Sequence, residues 1–236
     1  MFLKECKNKY RYAGFIGLLT FIGFRLANVF AYFDCLRTMT LEDKDIDNKY
    51  KQSPEGLEIR FLSETEILEY SRNPDYQLTD DFLGRALENG DRCLAILDGD
   101  KLASYGWYST KPTKVTGQFQ LHFSNQWVYM HHGYTNPNYR GKRLHAIGMA
   151  RATKLFTEMG YKGLVSIVAS ENAASLKSTR RLGYRENGKI FLFARMNRYL
   201  VMQSIGARRA GLYMSAMDES FNSIVLNKPQ EIQVAS

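Results

Sequence analysis

Cysteine is scarce in this chain: three residues in 236, Cys6, Cys35 and Cys93. They are widely spaced and odd in number. They therefore make neither a CxxC pair nor a disulfide framework, which points to a reducing compartment, the cytoplasm. The four histidines, His122, His131, His132 and His145, have no cysteine near them, so no metal is expected. Internal repeats and low-complexity tracts are absent. With 44% apolar and 24% charged residues, disordered and collagen-like classes are excluded. Acids are also short: 24 against 32 Lys plus Arg, a net charge of +8. That balance favours an anionic partner, whether nucleic acid, a membrane surface or a phosphorylated ligand. The basic residues are scattered and no motif that reads DNA or RNA is present, so nucleic acid is set aside.

The length allows one large domain, or one smaller domain with an appendage. The first 36 residues differ from the rest. Residues 1–12 carry Lys4, Lys7, Lys9 and Arg11 against one acid, Glu5, and residues 13–33 hold a single charge, Arg25. The pattern resembles a signal peptide, but no small-x-small cleavage site follows. Three readings are open. The segment lies on the inner face of the membrane as an interfacial helix, packs on the protein or on a second subunit (a homodimer), or spans the bilayer. A span would bury Arg25 at a cost of about 2.5–3.5 kcal/mol. Residues 37–56, charged and ending in Ser-Pro-Glu-Gly, read as a linker, which puts a domain boundary near residue 55.

From residue 57 the elements alternate. Leu57–Leu62 reads as a strand. Ser63 with Glu66 forms a capping box that opens a helix to about residue 71. A second helix runs from Thr79 to Glu88 and stops at Asn89-Gly90. Cys93–Asp98 and Lys101–Ser109 form a hairpin about Gly99. Strands follow at 118–122 and 126–135, a helix at 144–159, a strand at 164–169, a helix at 172–182 and a strand at 189–194. A last strand falls within 211–216, and 217–236 reads as a loose tail. The domain therefore covers 57–216. Its fold class is α/β with a mixed sheet and helices on both faces, carrying the N-terminal apolar helical extension.

The sharpest local signal is Asn136 to Leu144 (NPNYRGKRL), between a strand and a helix. Gly141 lets backbone approach a ligand closely. The amides of Gly141 to His145 would then point out of a helix N-terminus, an anion site, with Arg140, Lys142 and Arg143 adding charge. An exposed basic turn is the other reading of the same residues. Further on, a buried strand leads into Asn172 to Tyr184 (NAASLKSTRRLGY).

Together the two segments resemble the GNAT superfamily of acyl-CoA-dependent N-acyltransferases. Thr135–His145 is similar to its V-x-P-x-Y-R-G-x-G-x-G loop, and 172–184 to its N-x-x-S…L-G-F/Y segment. The resemblance covers about 57–203 and implies the following expectations. Gly141, Lys142, Arg143, Leu144 and His145 would hold the CoA pyrophosphate, headed by Arg140. Tyr134 and Thr135 would pair with pantetheine as an added strand, and Asn172 and Ser175 would hydrogen-bond it. Gly133 would be a bulge residue that opens the cleft. An amide of that strand would polarise the thioester carbonyl. The chain departs from the pattern in both segments. Arg143 and His145 fill places that are usually small, and Thr179 stands where many members carry a tyrosine acid. The early-strand glutamate of some members maps near Trp127 and is missing here. His131 lies nine residues before Arg140, where the arylalkylamine branch places a proton-relaying histidine. His132 should face the opposite side by strand alternation. The base is then His131, His132 or a non-histidine group. Trp107, Tyr108, Trp127 and Tyr129 read as core or cleft wall.

The expected activity is transfer of an acyl group, acetyl from acetyl-CoA, to a primary amine of a small molecule or amino sugar by direct attack. A longer-chain acyl donor at a membrane surface and a CoA-binding module without chemistry are the alternatives.

Overall fold

The computed structural model describes residues 2–30, 32–116, 119–195, 198–216 and 222–226. Helix α1 (Phe2–Phe30) leads into strand β1 (Tyr32–Leu41). Next come β2 (Glu58–Phe61), α2 (Glu64–Ser71), α3 (Asp80–Asn89), β3 (Arg92–Asp98) and β4 (Lys101–Ser109). A short pair, β5 (Thr113–Thr116) and β6 (Phe119–His122), precedes β7 (Trp127–Thr135), α4 (Leu144–Glu158), β8 (Gly163–Ala169), α5 (Ala173–Leu182) and β9 (Arg185–Arg195). The chain closes with β10 (Arg198–Gln203), α6 (Ile205–Arg209), β11 (Tyr213–Ala216) and β12 (Asn222–Leu226). Among the described residues the main sheet runs β12-β10-β9-β1-β8-β7-β4-β3-β2, and β11-β6-β5 form a second sheet. It is the mixed α/β architecture expected.

Local signals explain most elements. Ser63 accepts from the Glu66 amide while the Glu66 carboxylate accepts from the Ser63 amide, the reciprocal cap that starts α2. Ile67 of α2 and Leu83 and Ala86 of α3 pack on Ala95, Leu97, Tyr105 and Trp107, covering one face of the sheet. On the other face α4 lays Met149, Ala152 and Phe156 against Met39, Leu41, Val128 and Leu164. Full burial of side chains of this size stabilises the fold by about 1.5–3 kcal/mol each.

The linker assigned to 37–56 needs correction. Residues 37–41 belong to β1, which lies inside the sheet, antiparallel to β8 on one side and to β9 on the other. The sheet therefore begins at residue 32, not 57. Arg37 made this stretch look solvated, but its guanidinium is 2.8 Å from Glu186 of β9, while Thr38, Met39 and Leu41 are fully buried. The expected tail also contributes structure: residues 222–226 pair in parallel with β10. The rest of 217–236 lies outside the described residues.

α1 turns sharply at Gly14 (φ 65°, ψ −163°) and lies beside β1 and α5, with Phe21 buried. Among the described residues no helix is long and apolar enough to cross a membrane. Phe15, Ile16, Leu19 and Leu26 remain exposed.

Candidate active site

β7 and β8 are parallel, yet they pair only from Trp127↔Gly163 to Tyr129↔Val165. Beyond Tyr129, β7 stays with β4 while β8 stays with β1, so the two strands part. The Asn136 amide donates to the Ala103 carbonyl at 3.0 Å, and Ser104 sits opposite Thr135. This combination makes Thr135 a non-hydrogen-bonded pair with Ser104, and by alternation Gly133 is one with Gly106. The backbone N–H and C=O of Gly133 and Thr135 therefore face away from β4, into the open wedge. No described strand pairs with them on that side. The wedge is a short exposed sheet edge able to take an extended ligand.

At its far end β7 runs into the basic loop. Asn136 accepts from the Asn138 amide and Pro137–Tyr139 form a single 3-10 turn. Gly141 (φ 85°) and Arg143 (φ 62°) both take left-handed backbone before α4 begins at Leu144. A left-handed arginine costs of order 1–3 kcal/mol, a conformation that clusters at ligand sites. The N-cap residue Arg143 makes no side-chain cap to α4, so among the described residues the first amides of the helix are left open toward the loop. Thr135, Tyr139, Arg140, Gly141, Arg143, Leu144, His145 and Ala146 line a cavity of about 370 Å³ with Tyr50 and with Ala174, Lys177, Ser178 and Arg181 of α5. Arg140, Arg143, Lys177 and Arg181 give this cavity four cations, and among the described residues no carboxylate lines it. The donor set fits a pyrophosphate, from free helix amides and from guanidinium and ammonium groups.

Other expected residues stand apart. Lys142 does not line this cavity but an adjoining one with Tyr76, Asp98 and Tyr139, its Nζ 5.3 Å from the Tyr139 ring centroid. Tyr134 buries its ring and donates its hydroxyl to the Asp75 carbonyl at 2.7 Å, so it contributes no side chain to the wedge. Asn172 caps α5, its Oδ1 accepting from the Ser175 amide at 3.2 Å, and neither residue lines the cavity. Thr179 is buried and donates to the Ser175 and Leu176 carbonyls, which turns its hydroxyl away from the wedge.

The near end of β7 carries the histidines. Gly133 is in register with Gly106, so it is not the bulge. The ladder slips instead between Trp107↔His132 and Tyr108↔Met130, which leaves His131 as the extra residue. The slip cancels the expected alternation. His131 and His132 both line one cavity of about 660 Å³, together with Phe82, Arg85, Glu88, Asn89 and Asp91, Tyr129, the β5–β6 strands, Leu36 and Ile167. His131 Nε2 lies 2.9 Å from Asp91 Oδ2, in a bent approach short of an ideal hydrogen bond. The ring of His132 lies 4.6 Å from that of Phe82, and its Nε2 is 3.4 Å from the Tyr105 hydroxyl. Burial, with His131 beside it, holds the His132 imidazole below its ordinary pKa. His145 packs against Gly133, and burial, with a smaller contribution from His132, pushes its pKa down to about 4. It is neutral at pH 7.

Sequence reasoning missed Asp91 and Phe82. Asp91 follows a helix-ending glycine, where a carboxylate is ordinarily solvated. Only the fold carries it beneath His131. Trp107 and Tyr108 are buried in the core, and Tyr129 is cavity wall, as expected.

The family model described as the acetyltransferase (GNAT) family matches residues 58–184. No curated protein matches the chain. Among solved structures the chain is similar to a GNAT-family acetyltransferase from Colwellia psychrerythraea, with 13% identity over 71% of this chain and 58% of that one, TM-score 0.48. It is also similar to a GCN5-related N-acetyltransferase-like protein from Streptococcus suis, with 14% identity over 73% of this chain and 66% of that one, TM-score 0.48. The aminoglycoside N-acetyltransferase AAC(6')-Iy, solved with CoA, shares 21% identity over 55% of this chain and 92% of that one, TM-score 0.43. The chain thus spans less than two thirds of the Colwellia and Streptococcus proteins.

Proposed function

The chain belongs to the acetyltransferase (GNAT) family, and on that premise we propose that it transfers acetyl from acetyl-CoA to a primary amine of a small molecule or amino sugar. One observation carries this reading: the unpaired edge of β7 joins a cation-lined helix N-terminus to a pocket holding two histidines. The diphosphate would sit on the free amides of α4, between Arg140, Arg143, Lys177 and Arg181. The pantetheine arm would extend along Gly133 and Thr135 as an added strand. Its thioester would then meet the 660 Å³ pocket beside His132 and His131.

The chemistry needs little beyond alignment. The amine nitrogen attacks the thioester carbonyl, the C–S bond breaks, thiolate leaves, and the new amide nitrogen gives its surplus proton to water. The Gly133 amide, turned into the wedge, is the donor for the developing oxyanion. An amine arrives mostly protonated at pH 7 and must lose a proton first. His131 is the base: its Nε2 faces Asp91, so the lone pair that remains is on Nδ1. Thr179, turned inward, takes no part, and the thiolate leaves without a dedicated acid. The test is amine-dependent release of CoA thiol from acetyl-CoA, read across simple amines, amino sugars and amino acids. Release driven by at least one amine class supports the proposal. Release that never depends on an amine, in protein that binds acetyl-CoA, contradicts it.

A further inference from the structure

We propose that Asp91 is the positioning residue for His131, holding the ring so that Nε2 carries the proton and Nδ1 keeps the lone pair. The inference rests on the reading of His131 as the base.

Asp91 has 2% side-chain exposure and so must find its partners inside the protein. Its Oδ1 accepts from Asn89 Nδ2 at 2.8 Å, and its Oδ2 is 2.9 Å from His131 Nε2. Asn89 Nδ2 also donates to Ser109 Oγ at 2.9 Å, and that hydroxyl donates to the Lys111 carbonyl at 3.0 Å. The Asp91 amide donates to the Ala86 carbonyl of α3 at 2.9 Å. The carboxylate is thus fixed from α3 and from the end of β4 at once. The contact is bent short of a hydrogen bond, but a carboxylate 2.9 Å from Nε2 still favours the tautomer with its proton there, facing the negative charge. The bulge completes the arrangement, since His131 is the residue that the ladder to β4 skips between His132 and Met130. The other titratable groups that face it are Glu88 and Arg85 of α3, Lys114 of β5, and Tyr129 and His132 of β7.

The experiment is nitrogen NMR of histidine-labelled full-length protein, which has four histidines, with His131 assigned through His131→Gln. Nε2–H is expected in the wild type. Asp91→Asn, nearly the same shape, should mix the tautomers or reverse them. It should also lower kcat/KM for the amine by about 10²–10⁴-fold, the typical contribution of a general base, with acetyl-CoA affinity unchanged. Asp91→Glu should restore part of the loss and the tautomer with it. A wild-type Nδ1–H tautomer, or one that Asp91→Asn does not move, overturns the proposal. If Asp91→Asn does not fold, the wild-type tautomer decides. If the tautomer responds but His131→Ala keeps full activity, the base assignment is what fails, and a catalytic role for Asp91 falls with it.

Discussion

Removing β1 should cost the chain its fold, although half of that strand reads as linker. The side chains of Leu36, Met39 and Leu41 are 5%, 0% and 0% exposed. Burying each is worth about 1.5–3 kcal/mol, so the three together contribute roughly 5–9 kcal/mol. A domain of this kind has about 5–15 kcal/mol in all. The deletion also strips the ladders from β8 and β9, leaving two long unpaired edges in the middle of the sheet. The assay compares a chain that starts at residue 32 with one that starts at residue 50, in urea melts followed by circular dichroism. The first should unfold in a cooperative transition. The second should show none and should aggregate. Met39→Ala in the full chain, a milder change, should cost about 2–5 kcal/mol. A cooperative melt of the shorter chain at the same midpoint as the longer would refute the reasoning.

Three further outcomes follow from particular contacts. Gly133→Ala would press its methyl onto His145 Cε1 and within 2.9 Å of Met130 Cε, so it should destabilise by about 1–3 kcal/mol in thermal melts. Adding His145→Ala should relieve part of that loss. Arg143→Gly should raise stability by about 1 kcal/mol or more, because it removes a left-handed arginine, yet weaken acetyl-CoA binding in calorimetry, because it removes a cation. The His145 pKa of about 4 in the folded chain lies below the unfolded value of about 6.5, so the unfolded state binds the proton more readily between them. Stability from this group is complete above about pH 6.5 and is lost as pH falls toward 4, by up to about 3 kcal/mol. Urea melts at pH 7 and pH 5 should show the drop, and His145→Gln should flatten it.

Elements with local signals were legible in the sequence. The capping box of α2, the stop of α3 at Gly90, the β3–β4 hairpin and the limits of α4 and α5 all stand close to where residue patterns put them. β1 was not legible, because its polar residues are satisfied by partners far along the chain. Arg37 meets Glu186, and Thr40 meets Asn187. Within the site, the loop from Arg140 to His145 carries its own chemistry and could be read directly. The histidine pocket could not. Strand alternation puts His131 and His132 on opposite faces, and only the slip against β4 brings them together. Asp91 was invisible for the same reason: its partner is set by how α3 docks on the sheet. Asn172, a motif position expected to touch ligand, also has a local role in the fold, its Oδ1 capping α5.

If the open edge of β7 and the N-terminus of α4 form an acyl-CoA site, calorimetric titration with acetyl-CoA should show it. One site per chain is expected. Gly141→Val, which forces a branched side chain into left-handed backbone at φ 85°, should weaken binding at least tenfold, about 1.4 kcal/mol, in protein that still melts cooperatively. No heat of binding in the wild type, or equal affinity in folded Gly141→Val, would contradict it.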